Sequence, residues 1–259
     1  MKLTFLGVDN IPMVEPGDDL LELIDAGLAS MGESLEADDV IVLAQKVVSK
    51  AEDRYVDLTT VTPSDEAIRL GEETDKDPRK VQLVLDESSE VVRKRPGVII
   101  VEHKLGFVQA SAGIDQSNIW NENGEQDDLC LLLPVDPDGS ARALMEAVRE
   151  KHGIHVGVII NDSLGRAWRL GQLGLAIGVA GMTALEDYIG QNDIYGRELL
   201  VSQVAAADEM AAGASLVMGQ TDEKTPVVIV RGYTPRESED PAAQGVQPLI
   251  RPKEMDMFR

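Results

Sequence analysis

Residues Val158–Met182, V-I-I-N-D-S-L-G-R-A-W-R-L-G-Q-L-G-L-A-I-G-V-A-G-M, constrain this chain more than any other stretch. His155–Ile160 is a short, mostly apolar run with β-branched residues, which fits a buried strand. It ends in Asn161, Asp162 and Ser163, which puts Asp162 at a strand's carboxyl end. Gly165, Arg166, Trp168, Arg169 and Gly171 follow as a polar turn. Leu173–Gly181 then resumes as a second apolar strand, where Gly174, Gly178 and Gly181 let backbone or ligand approach closely. The carboxylate and hydroxyl offer hard oxygen ligands, and the arginines offer planar forks to phosphate. A polyanion held with a divalent cation suits this set. A plain strand, polar turn and core strand suits it equally.

The chain has 259 residues, enough for one large or two ordinary domains. Aromatics are only 3%, so Val, Ile, Leu and Ala must fill the core. The formal charge of −22 repels nucleic acid and anionic membrane surfaces, so neither is expected as a partner. It also repels anionic substrates, so any anion site needs local Arg, Lys or metal. Cys130 is the single cysteine, which excludes an intramolecular disulfide and reads as a buried thiol. The opening M-K-L-T-F-L-G-V-D-N turns polar too soon for a secretory leader, and no apolar run reaches about 18 residues. A soluble cytoplasmic protein is expected.

Taken in order, Leu3–Leu6 reads as a strand, and Asp18 and Asp19 cap a helix with the face Leu20, Ile24, Leu28 and Met31. Asp39–Leu43 is a second strand, running into Gln45, Lys46 and Lys50 as a basic turn suited to phosphate. Thr62–Glu73 and Asp77–Val92 read as helices, the second opened by Asp77-Pro78. Gly97–Glu102 and Gly106–Ala110 read as paired strands, followed by the polar loop Ser111–Asn118 with Asp115. Asn121–Asp128 reads as an exposed loop and Leu129–Leu133 as a strand. The turn Pro134–Ser140 leads into helix Ala141–Lys151, stopped by Gly153. Val204–Met218 reads as an Ala-rich helix, Val227–Val230 as a strand, and Arg236–Gly245 as loosely ordered.

Neither G-x-x-x-x-G-K-[ST] nor G-x-G-x-x-G occurs, and no Cys/His zinc spacing exists. His103, His152 and His155 stand apart and read as surface or strand-end residues, and no Ser-His-Asp set can be assigned. Oxygen chemistry remains. Asp115 and Asp162 each follow a strand beside hydroxyl and amide neighbours. Together they would hold Mg²⁺ or Mn²⁺ on a nucleotide's phosphates, but spacing alone does not bring them together.

The blocks I-P-M-V with G-D-D-L, V-V-S-K-A-E, S-A-G-I-D-Q-S-N, L-L-P-V-D-P-D-G-S-A, V-I-I-N-D-S-L-G-R-A-W-R, A-I-G-V-A-G, D-I-Y-G-R-E-L and M-G-Q-T occur in one order. From about Leu6 to Gly232 the chain resembles the coenzyme F420-0:L-glutamate ligases, or F420 γ-glutamyl ligases. Its acidity resembles that of a haloarchaeal member. The resemblance implies a reaction in which GTP activates the terminal carboxylate of F420-0 as an acyl phosphate. The amine of L-glutamate then attacks, and a second cycle adds glutamate through a γ-linkage. It also implies a homodimer, Mg²⁺ or Mn²⁺ at two sites, and K⁺ as a monovalent helper.

Position by position, Asp115 and Asp162 match metal-binding aspartates, Ser163 a hydroxyl ligand that is Thr elsewhere, and Gln220 a ligand that is Glu in at least one relative. Ile11, Pro12, Met13, Val14, Gln45, Lys46, Lys50 and Asn118 match nucleotide contacts. So does the turn Met218, Gly219, Gln220, Thr221, Asp222, Glu223, Lys224 and Thr225. Gln45 and Lys46 stand where a relative has Ser-Thr, and Ser111 where Asn is common. Asp115, Asp162 and Lys50 are the catalytic residues this implies. Arg166 and Arg169 are additional candidates for phosphate or substrate carboxylate, with a surface ion pair as the equal alternative. Two other functions stay open from the residues alone: a metal-dependent nucleotide phosphohydrolase and a non-catalytic GTP-binding module.

An α+β fold is expected, with mixed or antiparallel sheets and flanking helices in two subdomains. Residues 1–90 and 183–259 would form a discontinuous first subdomain, and 91–182 an inserted second one. Glycine-spaced runs such as Leu173–Gly181 would pack a dimer closely.

Overall fold

The computed structural model describes residues 2–119, 128–234 and 244–258. The loop expected over Asn121–Asp128 and the tail over Arg236–Gly245 lie almost wholly outside the described residues. The fold is α+β, with a mixed five-stranded sheet at its centre. Its strands are β1 (Thr4–Gly7), β2 (Val40–Ala44), β8 (Gly157–Gly165), β9 (Gln172–Ala180) and β12 (Val227–Arg231). They lie in the order β1-β12-β2-β8-β9. Only β2 and β8 run parallel; the other neighbours are antiparallel.

Alternating side chains on these strands face opposite layers, as the period of two requires. Ile41, Leu43, Val158, Ile160, Val227 and Ile229 join one core cluster, under α1 (Leu20–Ser30) and α5 (Pro137–His152). Val40, Val42, Ile159, Val228 and Val230 join the other, under α6 (Ala206–Met218). Asp19 caps α1 by accepting from the backbone N–H of Leu21 and Glu22. Helix α5 starts a turn earlier than its apolar pattern predicts, because Asp136 caps it and Pro137 fits its first turn. Gly153, left-handed at φ 70°, ends it as predicted.

A second layer holds β4 (Ser88–Arg95), β5 (Val98–His103) and β6 (Val108–Ala110), an antiparallel sheet covered by α3 (Asp65–Thr74) and α4 (Pro78–Asp86). Leu58, Leu70, Val81, Ile99, Val101 and Cys130 meet in its core. Strands β3 (Tyr55–Asp57) and β7 (Leu129–Leu131) pair beside it. Strands β10 (Glu186–Asp187) and β11 (Gln203–Val204) form a short ribbon.

Several expectations shift. The basic segment after β2 is a helix, α2 (Gln45–Ala51), and not a turn. The helix expected over Asp77–Val92 ends at Asp86, and its last part is strand β4. A boundary at residues 91 and 182 separates paired strands, because β8 and β9 complete the sheet built by β1, β2 and β12. It also parts α3 and α4 from the strands they cover. The glycines of β9 face this chain's own helices. A Cβ at Gly174 would meet Ser215 and Ala211 of α6, and one at Gly178 would meet Pro137 of α5. They therefore give no support to a dimer contact. No helix among the described residues is long and apolar enough to cross a membrane.

Candidate active site

The parallel pair fixes the site. Ala44 of β2 lies opposite Asn161 of β8, so the carboxyl ends of both strands open on one crevice. Such crevices are where open α/β sheets bind ligands. Strand β2 passes straight into α2, which brings Gln45, Lys46 and Lys50 to the crevice. Strand β8 does not stop at Asn161 as the sequence reading has it. It runs on to Gly165 because it is half of a hairpin with β9. A register shift between Ile160 and Asn161 marks a bulge there, a device that re-aims the side chains beyond it. Asn161 points to α6, donating to Ser215 Oγ at 3.1 Å. Asp162 then takes the opposite side.

Asp115 arrives from the second layer. After β6 the chain passes through Ser111 and Ala112, left-handed at φ 51° and 53°. Asp115 then forms a two-way bridge with Leu131, its N–H donating at 3.0 Å and its carbonyl accepting at 2.9 Å. This holds its carboxylate against α2. Lys46 Nζ lies 3.0 Å from Oδ1, and the Gln45 amide donates to Oδ2. Lys50 Nζ donates to the Asn118 carbonyl at 3.0 Å, and Asn118 Nδ2 donates to the Thr221 carbonyl at 3.1 Å. Gln220 Nε2 donates to Ser163 Oγ at 2.9 Å. Four chain segments remote in sequence thus meet.

The electrostatics follow from this crowding. Burial, then the charge of Asp115, pushes the Asp162 carboxyl up to about 7, against the Ser163 N–H and Lys46, which oppose the rise. Burial also raises Asp115, and Lys46 pulls it back. Lys50 is lowered by burial and then by Lys46. Asp162 therefore feels the charge of Asp115, and burial weighs on both carboxyls. Removing two such groups from water favours a proton on one of them or a cation between them.

Of the residues singled out from sequence, Gln45, Lys46, Lys50, Asp115, Asn118, Asp162, Ser163, Gln220 and Thr221 come together through these contacts. Met218 adjoins them as an acceptor for Asn161 Nδ2 at 3.4 Å. Glu223 shapes the Gly219–Thr225 turn by accepting from the Thr221 N–H at 2.8 Å. Ile11 and Val14 pack on the main sheet's core, whereas Pro12 and Met13 are exposed. Arg166 closes the hairpin by donating to the Gly171 carbonyl at 2.9 Å, and Arg169 is exposed in the same turn. Two neighbours of Asp115 escaped the sequence reading: Lys80 of α4 and Gln116, joined Nζ to Oε1 at 2.5 Å. Lys80 looks like one more charge on an amphipathic helix, and no local signal separates it from the others.

Among the described residues no group of three or more His, Cys, Asp or Glu could hold a metal. The donor set here is two carboxylates, a hydroxyl and an amide oxygen. That set fits Mg²⁺, which takes one or two carboxylates and completes its shell with water and phosphate.

A family model described as F420-0:Gamma-glutamyl ligase matches residues 9–232. A Methanothermobacter thermautotrophicus protein named coenzyme F420:L-glutamate ligase is 45% identical over 259 residues, covering 100% of both chains. Proteins of the same name from Methanopyrus kandleri and Methanocaldococcus jannaschii are 43% and 45% identical. The alignments cover 99% of both chains in the first case, and 87% of this chain and 86% of the relative in the second. With its motifs in order and its carboxylates and lysines gathered at one crevice, the chain belongs to the F420-0:γ-glutamyl ligase family.

Proposed function

We propose that this protein adds L-glutamate to coenzyme F420-0 in a GTP-dependent reaction, forming an amide and then a γ-glutamyl linkage. The observation that carries this reading is the placing of Asp115 and Asp162 with Lys46 and Lys50 at the carboxyl ends of the parallel pair. In the first step a carboxylate oxygen of F420-0 attacks the γ-phosphorus of GTP and GDP leaves. In the second the glutamate amine attacks the acyl carbon, phosphate leaves and the amine gives up a proton. Negative charge collects on the leaving oxygens in both steps, and fixed cations in a dry site stabilise it most. Lys46 and Lys50 are those cations, while the Met218–Thr225 turn and Ile11–Val14 frame the nucleotide.

Asp115, Asp162, Ser163 and Gln220 would hold Mg²⁺ or Mn²⁺ at two sites, because two carboxylates, a hydroxyl and an amide oxygen are hard donors that suit such cations. Divalent ions, with K⁺ as helper, supply neutralisation of phosphate charge. The protein acts in the cytoplasm as a homodimer. The segment between β10 and β11 supports the dimer, because it exposes Ile194, Tyr195, Leu200 and Val201, an apolar set unusual on an acidic surface.

Incubation with GTP, Mn²⁺, L-glutamate and F420-0, followed by mass spectrometry, tests the reading. Mono- and diglutamyl products are expected. Asp162→Asn should lower turnover by about 10²–10³-fold with unchanged circular dichroism. GDP release that ignores glutamate would mean a phosphohydrolase, and GTP binding without turnover a regulatory module. Full activity in Asp162→Asn would remove the metal assignment.

A further inference from the structure

The three lysines around Asp115 differ in what they hold. Lys46 faces the Asp115 carboxylate and Lys50 a main-chain carbonyl of the nucleotide-side loop. Lys80 comes from the opposite wall, on α4, and its ammonium donates to the neutral Gln116 amide. It is close enough to Asp115 for each to feel the other's charge. It is half-buried, and that burial lowers its affinity for a proton. Its neighbour Arg79, by contrast, takes two carboxylates, Asp77 and Asp128.

An ammonium partly removed from water and matched only with a neutral amide is under-compensated, because a charged acceptor binds roughly twice as strongly. In a chain of charge −22, Lys80 makes no ion pair with a carboxylate among the described residues, and Lys50, the other such lysine here, is held by a main-chain carbonyl. The position fits a carboxylate that arrives from outside. Both organic substrates in the reading above carry one, and it must come to rest beside Asp115 and Asp162, whose charges repel it. A cation on the α4 side, away from the phosphate-facing lysines, would offset that repulsion.

We propose that Lys80 anchors the carboxylate of an organic substrate at the α4 wall of the active site, exchanging its bond to Gln116 for an ion pair. This rests on the ligase reading. The ion pair can form with F420-0 or with L-glutamate, and the two Michaelis constants tell them apart.

The test compares wild type, Lys80→Met and Gln116→Leu. Lys80→Met should raise the KM of one carboxylate substrate by about ten- to hundredfold, as expected for a lost charge-assisted bond. The KM of GTP should change less than about twofold. Lys80→Arg should recover most of the loss. Gln116→Leu removes the present partner but leaves the ammonium, so it should keep both carboxylate KM values near wild type. If Lys80→Met leaves both values unchanged, or if Gln116→Leu reproduces its defect, Lys80 is only a staple between α4 and the Asp115 loop and the proposal is overturned. Should Lys80→Met fail to fold, Lys80→Gln carries the same comparison. If wild type makes no amide, the ligase reading falls by itself. Calorimetric titration of wild type and Lys80→Met with L-glutamate and with F420-0 then decides the anchor: tighter binding of either by wild type keeps it, and equal or absent binding removes it.

Discussion

Gly178→Ala tests the packing that holds the catalytic hairpin. Gly178 lies in β9 without a positive φ, so alanine is allowed by its backbone. The obstacle is space. A Cβ would sit 2.5 Å from the Pro137 carbonyl carbon and oxygen, which are backbone atoms in the first turn of α5. They cannot rotate away, so strand or helix must shift, at a cost of about 1–3 kcal/mol. The same turn carries Asp138, whose Oδ1 accepts from the Val179 N–H at 2.8 Å and the Val246 N–H at 3.1 Å. Loss of one such bond to a charged group adds about 1.5–3 kcal/mol. The reduced freedom of the unfolded chain returns only about 0.4–1 kcal/mol. The net loss is about 3 kcal/mol, or roughly 6–12 °C in Tm for a chain of this size. Calorimetry and urea unfolding in high salt measure it, with Gly165→Ala as control. A Cβ at Gly165 meets open space, so that variant should stay within about 0.5 kcal/mol of wild type. A Gly178→Ala protein as stable as the control would refute the reasoning.

Asp208 accepts from the Ala176 N–H at 2.9 Å, and burial raises its pKa above the unfolded value. The folded state then binds the proton more tightly, so the contribution of Asp208 to stability declines as pH climbs above about 4. Asp208→Asn should therefore gain on wild type as pH rises from about 4 in urea titrations, and a gap that narrows would contradict the shift. Leu200→Asp with Val201→Asp should turn a light-scattering dimer into a monomer in high salt, and an unchanged dimer would place the interface elsewhere.

The local pieces of this fold could be read from the sequence and their long-range partners could not. Gly153 and Asp136-Pro137 announce α5, because capping chemistry depends on adjacent residues. Helix α2 is hidden, since its cap position is Ala44 with no side-chain bond and its seven residues are too few to show a period. The Asp77–Val92 pattern hides a strand because Val91 and Val92 continue the helical spacing past Asp86. The site divides in the same way. Asp115 and Asp162 stood out beside strands, but their convergence depends on β2 pairing with β8 and on the Asp115–Leu131 bridge. Those contacts join residues far apart in the chain, and no local spacing encodes them. Lys80 escaped notice for that reason too.

Strand β12 lies between β1 and β2, although roughly 180 residues separate it in sequence from β2. At about 5–20 residues per second, a ribosome needs roughly 10–40 s to make that stretch. During synthesis β1 has no neighbour, and one edge of β2 stays open until Val227–Arg231 emerges. The crevice that gathers Lys46, Lys50, Asp115 and Asp162 can begin to form once β2, β8 and β9 meet, but its sheet closes only with the last strand. Folding of this protein is therefore governed by its C-terminal end, and a ribosome-bound chain halted before residue 227 should expose β2 as an edge competent to pair with another chain.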